Sequence, residues 1–167
     1  MNKTLVFFLI LSNSLFAQTS DQEKLYQMGI DFYRNENYDK AILAFNRAIQ
    51  LDSNYVDAYY YRAWSHQINE DYQKALLDYN KVISFRPKHT DAFYFRAIVQ
   101  SKLKNEQQAI NDFTMAINLK PSYGEAYYQR ALIYVNLRQH AAACQDAKKA
   151  VELKVEEATA LVITHCK

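Results

Sequence analysis

Residues 58–64, AYYYRAW, return as AFYFRAI at 92–98 and as AYYQRAL at 126–132, each copy 34 residues after the last. A fixed period of this length restricts the fold more than composition does. Each copy must be a small supersecondary unit that buries its apolar face only by stacking on the next. A frame begun at Gln22 restarts at Val56, Thr90 and Gly124 and reaches Glu157 without an insertion. Four repeats therefore follow one another, 22–55, 56–89, 90–123 and 124–157, with 18–21 as a short lead-in and 158–167 left over.

Within each unit the apolar places keep helical spacing. The fourth place is large (Leu25, Tyr59, Phe93, Tyr127) and the one four residues later is small (Gly29, Ala63, Ala97, Ala131), which marks one helix face. A second stripe follows: Ala41, Ala75, Ala109 and Ala143, then Phe45, Tyr79, Phe113 and Ala147, then Ala48, Val82, Ala116 and Ala150. Small residues on both stripes let two helix backbones approach closely, so each repeat reads as a helical hairpin. Only two glycines and two prolines occur in 167 residues, too few for the turns of a β fold, and the class is all-α. Pro87 and Pro121 stop the second helices of repeats two and three. Ser20 with Glu23, Thr90, and Ser122 with Glu125 are expected to cap first helices.

On these residues the sequence resembles the tetratricopeptide repeat family over 22–157, whose 34-residue helix-turn-helix units carry the same alternation of large, small and terminal proline places. The resemblance implies a right-handed superhelix of four hairpins, with 158–167 as a short capping helix, and a protein that binds other proteins. His66 and Gln100 stand where Phe32 and Tyr134 supply the usual aromatic, and Ser53 and Val155 replace the proline, so packing is expected to weaken there. The family turns one side of each first helix toward a concave groove. That places Tyr26, Ile30, Tyr60, Trp64, Tyr94, Ile98, Tyr128 and Leu132 on a partner-binding surface suited to a peptide or helix. The lysine, asparagine and arginine set with which some members clamp a C-terminal carboxylate is missing.

Arg62, Arg96 and Arg130 share one place, and Asp78, Asp112 and Asp146 lie sixteen residues further on; repeat one has Met28 and Ala44 instead. Presence and absence match within each repeat, which points to three structural ion pairs inside single hairpins rather than to arginines that grip a ligand.

The first 17 residues, MNKTLVFFLILSNSLFA, have a lysine near the start, an apolar run from Leu5 to Leu11 and a small residue at the end, and read as a secretory signal peptide. Ser12, Asn13 and Ser14 interrupt the run well short of the ~20 residues that span a bilayer, so no stable membrane insertion is expected after cleavage. The protein is therefore expected to be exported, periplasmic or secreted. Twenty basic against 18 acidic residues, with no basic block, speaks against nucleic acid as a partner. Histidines 66, 89, 140 and 165 form no His-Glu-x-x-His pair, and there is no phosphate loop or strained nucleophilic serine, so neither catalytic residues nor cofactors are expected. The two cysteines of an exported chain, Cys144 and Cys166, are expected to form a disulfide. His140 lies four residues before Cys144, but His165 and Cys166, as helix neighbours, point about 100° apart, and a metal centre is not expected. The reading is an envelope interaction scaffold. The alternative is a small enzyme or metal-binding protein that uses His140, Cys144, His165 and Cys166.

Overall fold

The computed structural model describes residues 20–166; the expected signal peptide, 1–17, lies outside them. Nine helices and no strand occur among the described residues. They are α1 (Asp21–Arg34), α2 (Tyr38–Leu51), α3 (Val56–Ile68), α4 (Tyr72–Phe85), α5 (Thr90–Lys102), α6 (Glu106–Leu119), α7 (Gly124–Asn136), α8 (His140–Glu152) and α9 (Ala158–His165). The first eight pair as hairpins, each packed on the next, and α9 packs on α8. The class is all-α, a tetratricopeptide-type superhelical stack. None of these helices is long and apolar enough to cross a membrane.

The small places bring the helices together. Ala41, Ala75, Ala109 and Ala143 on the second helices are fully buried, as are Ala63, Ala97 and Ala131 on the first. Into the space so opened go the rings of Phe45, Tyr79 and Phe113, also fully buried. In repeat one the approach is closer still: a Cβ on Gly29 would overlap the Phe45 ring. Repeat four has Ala147 where the others have a ring. There the end is closed by a cluster of Ala150, Val155 and Ala158, against which Tyr127 and Tyr128 pack.

The first helices end alike, in a turn the sequence pattern does not show. Glu36 N–H donates to Tyr33 C=O at 3.0 Å and Asn37 N–H to Phe32 C=O at 2.9 Å, the paired bonds of a Schellman motif. The same pair of bonds recurs at Glu70, Lys104 and Arg138, and once more at Lys154 after α8. All five residues have positive φ, between 58° and 69°, and none is glycine. For such residues the left-handed region costs roughly 1–2 kcal/mol, a strain that the two bonds hold in place.

Two expected caps fall elsewhere. Thr90 is already helical, and the His89 side chain accepts from Ala92 N–H at 3.2 Å. Ser122 lies one residue outside α7, whose N-cap is Tyr123. Ser20 does precede α1, but its side chain makes no capping bond. The cause is the corner between repeats, where Tyr55, His89 and Tyr123 N–H donate to Asp52, Arg86 and Lys120 C=O. That turn puts residue 55, 89 or 123 at the cap.

The unusual residues of repeats two and three are not loosely packed. His66 and Gln100 are both buried, and their cost is polar: His66 Nδ1 and Gln100 Oε1 find no hydrogen-bond partner. Burial outweighs the nearby Asp78 and Asp71 carboxylates and holds the His66 imidazole below its ordinary pKa.

Candidate functional site

First helices of successive repeats touch one another (α1 with α3, α3 with α5, α5 with α7), whereas the second helices show no comparable contacts among the described residues. The first helices therefore lie on the inner side of the curve, and their exposed faces line the groove.

Aromatic rings run along this side in an unbroken file. Tyr55 and Tyr26 lie 5.0 Å apart between centres, Tyr26 and Tyr61 6.0 Å, Tyr61 and Tyr33 5.7 Å, and Tyr33 and Trp64 5.6 Å. The file continues through Trp64 and Phe95 at 4.7 Å, Phe95 and Tyr94 at 5.1 Å, and Tyr94 stacked on Tyr123 at 4.8 Å. Tyr60 sits beside it, 4.9 Å from His89 and 6.1 Å from Trp64. All these rings are half-buried. They pack on one another, and each keeps part of its surface accessible.

Of the groove residues expected from the sequence, Tyr26, Tyr60, Trp64 and Tyr94 belong to this assembly. Ile98 and Leu132 are half-buried beyond it. Ile30 is a correction: at 6% exposure it packs with Phe45 and Ala58 in the core, because α1 and α3 close over it. Tyr128 turns to the end cluster, and Gln129 replaces the ring that Tyr61 and Phe95 supply, so the file stops at Tyr123. Tyr33, Tyr55, Tyr61, Phe95 and Tyr123 were not anticipated. Their signal was present, since 55, 89 and 123 hold Tyr, His and Tyr at the repeat period, and 61 and 95 hold Tyr and Phe.

Burial raises the hydroxyl pKa along the file, to about 12 at Tyr33 and further at Tyr26, Tyr55 and Tyr60. These phenols stay neutral donors at physiological pH. Tyr55 donates to Glu23, and Arg86 grips Asp57 with two bonds of 2.6 and 3.1 Å. Glu23, Asp57, Asp91 and Glu125 recur at the repeat period in the first turns of the inner helices, where a carboxylate suits the helix dipole. Of these carboxylates, Asp57 is already paired with Arg86 and Glu23 accepts from Tyr55.

All three nitrogens of each arginine are hydrogen-bonded. Arg62 Nε and Nη2 donate to Asp78 at 2.7 and 2.6 Å, Arg96 to Asp112 at 2.6 and 2.6 Å, and Arg130 to Asp146 at 2.7 and 2.8 Å. Each third nitrogen, Nη1, reaches back sixteen residues to the preceding repeat: to Asn46 at 2.6 Å, Asn80 at 2.7 Å and Thr114 at 2.7 Å. The guanidinium planes also lie over Tyr59, Phe93 and Tyr127. Each arginine closes its own hairpin and ties it to the one before, with three of its five N–H groups bonded in this way. At the far end Cys144 and Cys166 are bonded, their Cα atoms 5.1 Å apart, and join α9 to α8.

A family model described as "Anaphase-promoting complex, cyclosome, subunit 3" matches residues 34–116, and one described as "Tetratricopeptide repeat" matches 124–154. No curated protein matches the chain. Among solved structures, a MamA protein is similar at 20% identity, covering 84% of this chain and 78% of that one with a TM-score of 0.81. A tetratricopeptide repeat protein from Parabacteroides merdae is 21% identical over 84% of this chain and 58% of its own, with a TM-score of 0.77. The first repeat domain of Spaghetti (RPAP3), solved with an HSP90 peptide, is 20% identical over 72% of this chain and 96% of its own, with a TM-score of 0.69. At these identities the likeness is one of fold.

Proposed function

Since the chain belongs to the tetratricopeptide repeat family, we propose that it is an interaction scaffold whose aromatic inner face holds a peptide segment or helix of a partner protein, in the cell envelope after export. One observation carries this: the unbroken file of half-buried rings from Tyr55 to Tyr123 on the inner helices. A core has no need to leave rings open along a groove, and exposed apolar surface of this kind commonly marks a binding site. RPAP3 offers a precedent for a peptide ligand on this fold. The occupant here differs in character. The Arg62, Arg96 and Arg130 forks grip Asp78, Asp112 and Asp146 inside the hairpins, so apolar and aromatic groups do the anchoring. No catalytic step enters this reading, and the envelope setting rests on the signal-peptide-like sequence of residues 1–17.

A peptide-display library selected on the protein tests it. Selected clones should be rich in large apolar residues and should be lost on Tyr60→Ala/Trp64→Ala, since aromatic anchors each carry ~2 kcal/mol or more. Helicity and melting of the double variant are measured alongside. Clones that bind a folded double variant as well as wild type contradict the proposal.

A further inference from the structure

The end of the stack brings together four side chains that the groove does not use. His140 and Cys144 lie one turn apart on α8, and His165 and Cys166 close α9. Two neighbours within a helix would diverge, but Cys166 is the residue after the last helical one, with φ −103° and ψ 47°. Its side chain leaves the helical sweep, and both members of the second pair face α8. The imidazoles of His140 and His165 lie parallel, 5.5 Å between centres and 12° between planes, beside the Cys144–Cys166 bond. His140 is exposed and the other three are half-buried, so the cluster is open to solutes.

We propose that this cluster is a redox-gated zinc site, closed while the disulfide is intact and formed as two thiolates and two imidazoles once it is reduced. With the sulfurs joined there is no thiolate donor, and no group of three or more potential ligands among the described residues is placed to hold a metal. A dithiol opens the bond by thiol–disulfide exchange: it leaves as its own disulfide, and Cys144 and Cys166 each take up one of its protons. Zinc then binds both sulfurs and displaces two protons to solvent, while each histidine offers one neutral nitrogen. The spacing of the rings suits the ion, and the imidazoles, parallel in the oxidised state, must turn so that a nitrogen of each points at one metal. Zn–N bonds of roughly 2.0–2.1 Å in a tetrahedron set two imidazole centres on the order of 5 Å apart, near the separation already present. Cys166, beyond the helix end, has the freedom to draw back from Cys144. The same two cysteines thus hold α9 in place in either state, by a covalent bond or through the ion.

The purified protein, oxidised or reduced with a phosphine, is titrated with zinc against a chromophoric chelator and with cobalt(II) read by visible absorption. The reduced chain should take up one zinc, at least ~100-fold more tightly than the oxidised chain, and give tetrahedral cobalt bands with thiolate charge transfer. Reduced His140→Ala/His165→Ala, checked for helicity, should bind at least ~10-fold more weakly; if it loses helicity, His165→Gln serves in its place. Equal binding by oxidised and reduced chains, no binding by the reduced chain, or undiminished binding by the folded histidine variant overturns the proposal.

Discussion

Arg96 and Asp112 are the pair through which the linkage between repeats is best measured. Their side chains are 18% and 7% exposed, and two bonds of 2.6 Å join them. Arg96→Met removes both bonds and the link to Asn80 and leaves a buried carboxylate with the Gln100 amide at 3.1 Å as its remaining side-chain partner. Bonds to a charged group are worth about 1.5–3 kcal/mol, and stranding one partner of a buried pair costs about 3–5. With Gln100 giving partial relief, ~3 kcal/mol is expected for Arg96→Met, a fall of roughly 6–12 °C in melting temperature for a chain of this size. Asp112→Ala should cost about 2–3 kcal/mol, because the freed guanidinium keeps Asn80 and can turn toward water. The double variant copies repeat one, which holds Met28 and Ala44 at these places, and should lose clearly less than the sum. A coupling of about 1.5 kcal/mol or more follows. Urea unfolding read both by circular dichroism and by Trp64 emission supplies the cycle, and coincidence of the two probes tests for a single transition. Single losses that add to within ~0.5 kcal/mol would refute the reasoning.

Three further outcomes follow from local features. Cys144→Ser/Cys166→Ser should lose roughly 3 kcal/mol in the chain-entropy account for a separation of 22 residues, seen as a lower urea midpoint. His66 is held below the ordinary imidazole pKa by burial, so between that lowered value and about 6.5 the unfolded chain binds more protons than the folded one. Its contribution is complete above pH ~6.5 and is lost as the pH falls, and His66→Gln, the choice of repeat three at Gln100, should flatten the acid limb of a melting-temperature profile. Glu70→Gly, at φ 61°, relieves left-handed strain and should stabilise by up to about 1 kcal/mol, whereas Glu70→Val should destabilise by thermal melting.

The hairpins were legible because close helix contact tolerates only small side chains, and Gly29, Ala63, Ala97 and Ala131 declare that requirement at a constant period. The match of Arg62, Arg96 and Arg130 with their aspartates was legible for a similar reason, since an ion pair leaves its trace twice. The bonds to Asn46, Asn80 and Thr114 were hidden, because Nη1 donates equally well to an amide or a hydroxyl oxygen and imposes no residue type. The turns were hidden too. A left-handed residue usually announces itself as glycine, and here Glu36, Glu70, Lys104 and Arg138 adopt it under two backbone bonds. Ile30 misled because it shares a place with Trp64, but its smaller side chain packs in with Phe45 and Ala58 where the indole stays half-buried. Cys166 lies just past the last residue of α9, where adjacency to His165 no longer sets a helical angle between the two.

Trp64 is the sole tryptophan and lies within the ring file, between Tyr33 and Phe95. Its emission during titration with a display-selected apolar peptide, at low and at moderately raised salt, tests groove binding most directly. Saturable change in Trp64 emission with nearly the same affinity at both salts is predicted, because the contacts are apolar and the arginine forks are already paired. Binding that leaves Trp64 emission unchanged, or that vanishes when salt is raised, contradicts it.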